Sequence, residues 1–167
     1  MTLTRDIIGI MAATKKGVIG NNKRMPWNYP DERQNLIRMT KEQCVIMGRK
    51  TFESIPTNFY DDRTPIIFSR SQTTQFFTVQ SIAECLAIID KQCANKKIFM
   101  IGGAEIAHLF LQANLISQFL LTTIHHSYKG DVGLDMSLLK NWSKNDIMTN
   151  SRFTISKLTP EANIIIK

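Results

Sequence analysis

Cysteine is scarce in this chain, and its spacing argues against two common uses of thiols. The 167 residues contain three cysteines, Cys44, Cys85 and Cys93, an odd number with no CxxC pair among them. This pattern argues against a disulfide framework and against a thiolate metal site. We therefore expect reduced thiols, as in a cytoplasmic protein.

Long apolar runs, linkers and repeats are also missing. The apolar stretch over 7–13 is far too short to span a bilayer, and without a convincing cleavage site it makes a poor signal peptide. No linker rich in Pro, Gly or Ser and no low-complexity tract divides the sequence. We expect one compact domain, with no membrane segment, that is large enough for a core and a ligand cleft.

Positive charge is present but is not concentrated. The formal net charge is +7, yet no run of five or more basic residues occurs, and no basic segment is interspersed with aromatic residues. Scattered positive charge favours a small anionic ligand over nucleic acid. Nucleic-acid binding rests on the charge alone, and a lack of salt-sensitive association with mixed-sequence DNA or RNA would exclude it.

Strand-like and helix-like segments alternate along the chain, which predicts an α/β fold. The main strand candidates are continuous apolar runs, typical of strands covered on both faces, over 7–13, 44–47, 65–69, 77–79, 98–101 and 119–124. Shorter strands are predicted near 145–148, 152–158 and 163–166, and the last two are predicted to form a hairpin. The carboxyl end is therefore expected to form an antiparallel edge.

An acid near the start of a predicted helix over 30–40 is the most informative feature. Pro30 suits the first helical turn, and the two acids after it suit the positive end of the helix dipole. Glu32 lies four residues before Leu36, on the apolar side, whereas Asp31 lies on the wet side. A carboxylate shielded from water can hold or relay a proton near neutral pH. An exposed acid that only complements the dipole is the alternative, and the helix alone leaves both interpretations open.

Two predicted strands end in glycine-bearing turns that open helices. Gly48-Arg49-Lys50-Thr51 follows the strand over 44–47, and Gly102-Gly103-Ala104 follows the strand over 98–101. Glycine lets backbone N–H groups approach a ligand, and a helix amino end with basic side chains favours phosphate. Both turns are candidate anion sites, although such turns are more often purely structural, and neither matches GxGxxG or a P-loop.

Taken together and in order, these motifs resemble the dihydrofolate reductase family. They are Gly17-Val18-Ile19-Gly20, Met25-Pro26-Trp27-Asn28, Pro30-Asp31-Glu32, the segment over 45–55, Ile101-Gly102-Gly103-Ala104-Glu105 and Gly130-Asp131. The resemblance implies a single α/β domain over 1–167, with an adenosine-binding subdomain at about 43–94. Its central, mostly parallel eight-stranded sheet would have an antiparallel carboxyl-terminal edge and about four flanking helices. The implied function is NADPH-dependent reduction of dihydrofolate to tetrahydrofolate, supporting one-carbon metabolism, by a cytoplasmic monomer.

The resemblance also assigns the pterin chemistry. Glu32 would anchor the pterin and promote protonation of its imine nitrogen through water. Thr122 would hydrogen-bond this carboxylate, Trp27 would hold a water nearby, and Met25 would lie in the loop that covers the nicotinamide. In the mechanism that the resemblance implies, hydride would pass from the reduced nicotinamide to the carbon of the protonated imine, so neither a metal nor a protein nucleophile would be required.

The remaining assignments concern the walls of the two binding sites. The substrate set, besides Glu32 and Thr122, is Ala12, Leu36, Ile55, Arg63 and Ile101. The cofactor set is Ala12, Ile19, Gly20, Asn21, Gly48, Arg49, Lys50, Thr51, Ser69, Arg70, Ile101, Gly102, Gly103, Ala104 and Glu105. Residues 49–51 would hold the phosphates, and 69–70 would reach the 2′-phosphate, which implies NADPH over NADH. Arg63 would pair with a carboxylate of the glutamate tail. The family commonly has a cis peptide between the two glycines.

Several positions depart from the family pattern. Leu36 stands where Phe is frequent, Ala107 where a Tyr often packs, and Val132 where Thr is usual. The segment before Arg63 lacks the usual Pro-Gly, and Asp62 is a competing partner for this arginine. The pocket is therefore expected to be looser than in typical members, with a weaker grip on the glutamate tail.

Two other functions on the same scaffold remain open. A sister reductase would use NADPH on a ribityl-aminopyrimidine, as in riboflavin synthesis, but the Met-Pro-Trp segment together with Glu32 argues against it. A non-catalytic folate or nucleotide binder would account for the departures. Retention of both the acid and Thr122 favours the enzyme.

Overall fold

The computed structural model describes residues 5–21, 24–72 and 75–161. Its strands are β1 (Ile7–Thr14), β2 (Val18–Gly20), β3 (Cys44–Gly48), β4 (Thr64–Phe68), β5 (Phe77–Val79), β6 (Ile98–Gly102), β7 (Ile116–Ile124), β8 (Val132–Gly133), β9 (Ser143–Thr149) and β10 (Phe153–Thr159). Its α-helices are α1 (Pro30–Thr40), α2 (Arg49–Ser54), α3 (Ile82–Gln92) and α4 (Ala104–Gln112). Short 3₁₀ helices occupy Thr57–Tyr60 and Met136–Leu139.

Eight strands form the central sheet in the spatial order β5-β4-β3-β6-β1-β7-β10-β9. The pairs from β5 to β7 are parallel, and β10 pairs antiparallel with both β7 and β9. The expected mostly parallel sheet with an antiparallel carboxyl edge and four α-helices is confirmed. A separate two-stranded sheet joins β2 to β8. None of the helices in the described parts of the chain is long and apolar enough to cross a membrane.

Side chains alternate between the two faces of the sheet and divide the core in two. On one face, α3 and α4 cover the cluster that contains Met100 and Phe119. On the other, α1 and α2 contribute Leu36 and Phe52 to the cluster that contains Phe99. The strand β6 is buried along its whole length, since helices cover both faces of the sheet there. This burial on both faces explains its continuous apolar run.

The carboxyl-terminal hairpin differs from its predicted position. The predicted strand over 163–166 lies outside the described residues, whereas β9 and β10 form a hairpin around the turn at 150–152. Asn150 fixes this turn, since its Oδ1 accepts hydrogen bonds from the N–H groups of Arg152 and Phe153 at 2.8 and 2.9 Å. The strand β9 is exposed throughout and forms the edge of the sheet.

The carboxyl ends of neighbouring parallel strands place the functional segments together. In the sheet β3 lies beside both β4 and β6, and β6 lies beside β1. The turns that follow these parallel strands therefore meet along one sheet edge, where ligands commonly bind in open α/β sheets.

Candidate active site

Glu32 is buried in the first turn of α1, with 8% of its surface exposed. The helix begins at Pro30, as predicted. The side chains of the two acids that follow Pro30 point in different directions. Asp31 is exposed and forms an ion pair with Arg152 at 2.5 Å. The expectation that Glu32 points inward and Asp31 points to water is confirmed.

Burial raises the pKa of Glu32 above its ordinary value of 4.5. The Trp27 Nε1–H donates a long hydrogen bond to Glu32 Oε2 at 3.4 Å, which opposes that rise by stabilising the carboxylate. Arg33 lowers the pKa as well, and Asp31 raises it. Loss of hydration is the largest of these effects, so the carboxyl retains its proton to higher pH than an exposed glutamate does.

Thr122 lies on the face of the sheet that contains Trp27. It is 4% exposed and pairs in register with Ala12 on β1 and Ile155 on β10. Residues directly opposite one another on paired strands point to the same face. Both Ala12 and Ile155 pack against the cluster around Trp27. The structure therefore brings Ala12, Trp27 and Thr122 to the face of the sheet that α1 covers. Glu32 is part of this helix.

An apolar wall continues this site along the same face. Ile101, at the end of β6, is 8% exposed, and Leu36 and Ile55 are partly buried against the cluster to which Ile101 belongs. These three apolar residues of the predicted substrate pocket thus share one side of the sheet. Ala107 is buried among the residues of the opposite face, and Val132 is exposed.

The two glycine turns lie against each other at the edge of the sheet. A Cβ atom at Gly103 would lie 3.3 Å from Thr51 Oγ1, and one at Gly48 would lie 3.2 Å from Ile106 Cγ1. The Gly102–Gly103 peptide is cis, as the resemblance implied. Gly102 has a φ of +108°, which favours glycine, and a Cβ there would meet Met11 at 3.0 Å. The turn from β6 into α4 therefore borders the start of α2.

Basic and hydroxyl side chains lie along this edge. Arg49 and Lys50 are exposed at the start of α2, and Arg49 pairs with Glu53 at 2.5 Å. Ser69 and Arg70 follow β4, the strand beside β3. The Ser69 hydroxyl donates to the carbonyl of Ser71 at 2.9 Å. Ala104 begins α4, and Glu105 is exposed in its first turn. The cofactor residues assigned after β3, β4 and β6 thus lie in three adjacent turns.

The segment over 15–21, which contains β2, is tied to β8 and to the residues before it. Gly20 pairs with Val132, and its carbonyl accepts a hydrogen bond from the Asp131 N–H at 3.0 Å. Asn21 donates its N–H to the carbonyl of Arg24 at 2.7 Å. Ile19 packs against the core, while Met25 is 44% exposed. The assignment of Asn21 and Met25 to a loop that covers the nicotinamide stays a prediction.

Arg63 has extensive internal partners. Its guanidinium donates to the carbonyls of Phe59 and Ile37 at 2.7 Å each, to Thr40 Oγ1 at 3.1 Å and to Asp62 Oδ1 at 2.7 Å. The guanidinium also lies over the Phe59 ring, 3.9 Å from its centre, and the side chain is 4% exposed. The competition by Asp62 that the sequence suggested is present. Arg63 connects the end of α1 to the 3₁₀ helix at 57–60, and its binding of a glutamate tail stays a prediction.

Sequence reasoning missed two tyrosines beside Trp27. The hydroxyls of Tyr29 and Tyr128 hydrogen-bond to each other at 2.9 Å, and the Tyr128 ring packs on Trp27 with centroids 6.0 Å apart. Both tyrosines flank recognised motifs, Tyr29 the Met-Pro-Trp segment and Tyr128 the Gly130-Asp131 pair. Their positions beside these motifs could have marked the two tyrosines as site residues. Their contact with each other could not be predicted, because 99 residues of sequence separate them.

Comparison with known proteins agrees with this geometry. Residues 6–156 match the family model described as dihydrofolate reductase. A dihydrofolate reductase of Lactococcus lactis is 38% identical over 130 residues, covering 75% of both chains. One of Mycoplasma genitalium is 31% identical over 156 residues, covering 90% of this chain and 95% of the relative.

A solved structure shares the fold. It is a dihydrofolate reductase from Enterococcus faecalis in complex with NADP(H) and RAB-propyl, and it superposes with a TM-score of 0.75 at 22% identity. The alignment covers 95% of this chain and 98% of that one.

Proposed function

This chain belongs to the dihydrofolate reductase family, and we propose that it carries out the family's reaction through the buried carboxyl of Glu32. The chain reduces 7,8-dihydrofolate to 5,6,7,8-tetrahydrofolate, with NADPH as the reductant. The observation that carries the proposed role is the burial of Glu32 beside Trp27, on the face of the sheet that contains Thr122.

The carboxyl of Glu32 has two tasks in this proposal. It binds the amino group and the ring amide of the pterin, which orients the ring, and it promotes protonation of the imine nitrogen through water. The raised pKa suits the second task, because a general acid works best when its pKa lies near the operating pH. Thr122, which lies on the same face of the sheet, would hydrogen-bond the carboxylate and hold it in place. Leu36, Ile55 and Ile101 exclude water from the pterin and benzoyl groups.

The residues of the sheet edge fit a dinucleotide phosphate. The Thr51 hydroxyl lies close to Gly103, in a turn whose two glycines have no side chains. Arg49 and Lys50 add positive charge beside this turn. NADPH, when bound, supplies the hydride. In our proposal residues 49–51 bind the pyrophosphate, and Ser69 with Arg70 binds the 2′-phosphate, which favours NADPH over NADH.

The reaction is tested by following the absorbance of NADPH in the presence of dihydrofolate. We expect turnover with dihydrofolate, a lower kcat/KM with NADH than with NADPH, and no turnover with a ribityl-aminopyrimidine. Turnover of the aminopyrimidine alone would identify a sister reductase. A folded protein that binds NADPH and dihydrofolate without oxidising the cofactor would be a binding protein.

Replacement of Arg63 by alanine separates a role in tail binding from a role in folding. If Arg63 binds the glutamate tail, the KM for dihydrofolate should rise about 10- to 100-fold, the effect of losing hydrogen bonds to a charged group. The KM for dihydropteroate, which lacks glutamate, should change little. Arg38→Ala, which removes an exposed arginine from α1, the helix whose end Arg63 contacts, is the matched control. An equal rise in KM for both substrates would assign Arg63 to the fold alone.

The finer properties of the protein are also proposals. Three buried free cysteines fit a reducing cytoplasm. We propose that the chain acts there as a monomeric single domain, with the segment over 43–94 as its adenosine-binding part. Sedimentation or light scattering measures the oligomeric state directly.

A further inference from the structure

The hydroxyls of Tyr29 and Tyr128 connect two segments that border Glu32. Tyr29 immediately precedes α1, and Tyr128 lies in the loop between β7 and β8. Their hydroxyl oxygens are 2.9 Å apart. Tyr29 and Tyr128 are both half-buried, so this hydrogen bond is partly protected from competition by water.

Trp27 contacts both this pair and the acid. The Tyr128 ring is inclined at 50° to the indole, with centroids 6.0 Å apart, and the indole N–H reaches Glu32 at 3.4 Å. Trp27, Tyr29 and Glu32 belong to one short segment. The contacts through Tyr128 therefore close a ring of contacts that includes the indole.

Each tyrosine has a second support. The Arg152 guanidinium lies 5.2 Å from the centre of the Tyr29 ring and pairs with Asp31 at 2.5 Å, which ties Tyr29 to the β9–β10 turn. The His126 ring packs edge-on against Tyr128 with centroids 4.6 Å apart. These contacts link the tyrosine pair to the β9–β10 turn and to the segment that follows β7.

We propose that Tyr29 and Tyr128 are positioning residues that hold the Trp27 indole against Glu32. The inference rests on the proposed role of Glu32. Its physical basis is the length of the Trp27 hydrogen bond, since a 3.4 Å contact is easily lost when the donor gains freedom. With the hydroxyl bond removed, the indole spends less time on the carboxylate, and the ionised form of Glu32 loses stabilisation.

The sign of the resulting change in pKa follows from the surroundings of Glu32. Its charged neighbours, Arg33 and Asp31, are on its own helix, and the strands contribute the uncharged Ala12 and Thr122 to this face. Neither charge depends on the tyrosine hydroxyls for its position along α1. Loss of the Trp27 bond should therefore raise the pKa of Glu32.

The indole N–H signal of Trp27 measures this effect without catalysis. The protein has two tryptophans, so the background variant Trp142→Phe leaves one indole signal in a ¹⁵N spectrum. Its chemical shift against pH should give the titration of Glu32, and Glu32→Gln should abolish that titration. In Tyr128→Phe, and separately in Tyr29→Phe, we expect the midpoint to rise by up to about one pH unit. The double variant should shift no further than either single variant.

Thr149→Val is the matched control. It removes another hydroxyl pair, Thr149 with Thr154 at 2.7 Å, from the β9–β10 hairpin, and the midpoint should stay that of the parent. The pH profile of kcat/KM for dihydrofolate should move in the same direction as the midpoint in the two tyrosine variants. Parent-like midpoints in both folded tyrosine variants would overturn the inference. A shifted midpoint in a protein that shows no turnover would keep the positioning role and overturn the proposed function.

Discussion

Glu32→Gln is expected to lower kcat/KM for dihydrofolate by about 10²- to 10⁴-fold at neutral pH, the usual contribution of a positioned acid or base. Glutamine keeps the size of the side chain and one carbonyl acceptor, so the indole of Trp27 can still donate to it. It cannot take up or release a proton. The loss should therefore appear in turnover, while NADPH affinity stays close to that of the parent.

The measurement is NADPH oxidation for the parent and the variant, with NADPH binding measured separately by fluorescence. Asp90→Asn, which removes one exposed acid from α3, is the control for a change in net charge. Activity within tenfold of the parent, in a variant that binds NADPH normally, would show that proton supply to the pterin does not depend on Glu32.

The Glu32→Gln variant should also become more stable relative to the parent protein as the pH rises. The pKa of Glu32 in the folded protein lies above its ordinary value of 4.5 because the carboxyl is buried. Below pH 4.5 the carboxyl is protonated in both the folded and the unfolded protein, so its ionisation does not affect the free energy of unfolding. As the pH rises through the folded pKa, its ionisation favours the unfolded chain. Thermal unfolding should therefore give Glu32→Gln a Tm advantage at pH 8 that largely disappears at pH 4. An advantage of equal size at both pH values would contradict this origin.

The sequence predicts local structure well where a short pattern determines it. Pro30 and the acids after it place α1 over Pro30–Thr40, as observed. The apolar runs place the central strands to within a residue or two, except that β7 begins at Ile116 rather than 119. There Ser117 and Gln118 interrupt the apolar run, because the amino end of this strand is only partly covered.

Contacts between distant segments could not be predicted in this way. The tyrosine pair, the burial of Arg63 under the end of α1 and the pairing of β2 with β8 all depend on tertiary packing. The resemblance to a family supplied the roles of the site residues, but it could not supply contacts that arise from residues outside the shared motifs. Tyr29 and Tyr128 are residues of this kind, which lie outside the shared motifs.

Gly130→Ala should lower kcat about 5- to 150-fold, the range that corresponds to about 1–3 kcal/mol of coupling between sites. A Cβ atom at Gly130 would lie 2.3 Å from the carbonyl oxygen of Gly20 and 2.3 Å from Val18 Cγ1. Because one of these atoms is backbone, β2 must move away. The hydrogen bond from Asp131 to Gly20 and the pairing of β2 with β8 would then be lost. The loop that leads to Met25 and Trp27 would no longer be fixed to the segment after β7.

Gly133→Ala is the control that separates this mechanism from a general intolerance of side chains in β8. Its Cβ would lie 3.6 Å from the carbonyl of Gly17, an ordinary contact, so the small sheet should survive and kcat should stay near that of the parent. Single-turnover oxidation of NADPH reports the chemical step, and thermal unfolding reports global stability. A slower chemical step in Gly130→Ala with little change in Tm would assign the defect to the loop. A fall in Tm that accounts for the lost activity through unfolded protein would contradict it, because the clash would then act on the whole fold rather than on the connection between β2 and β8.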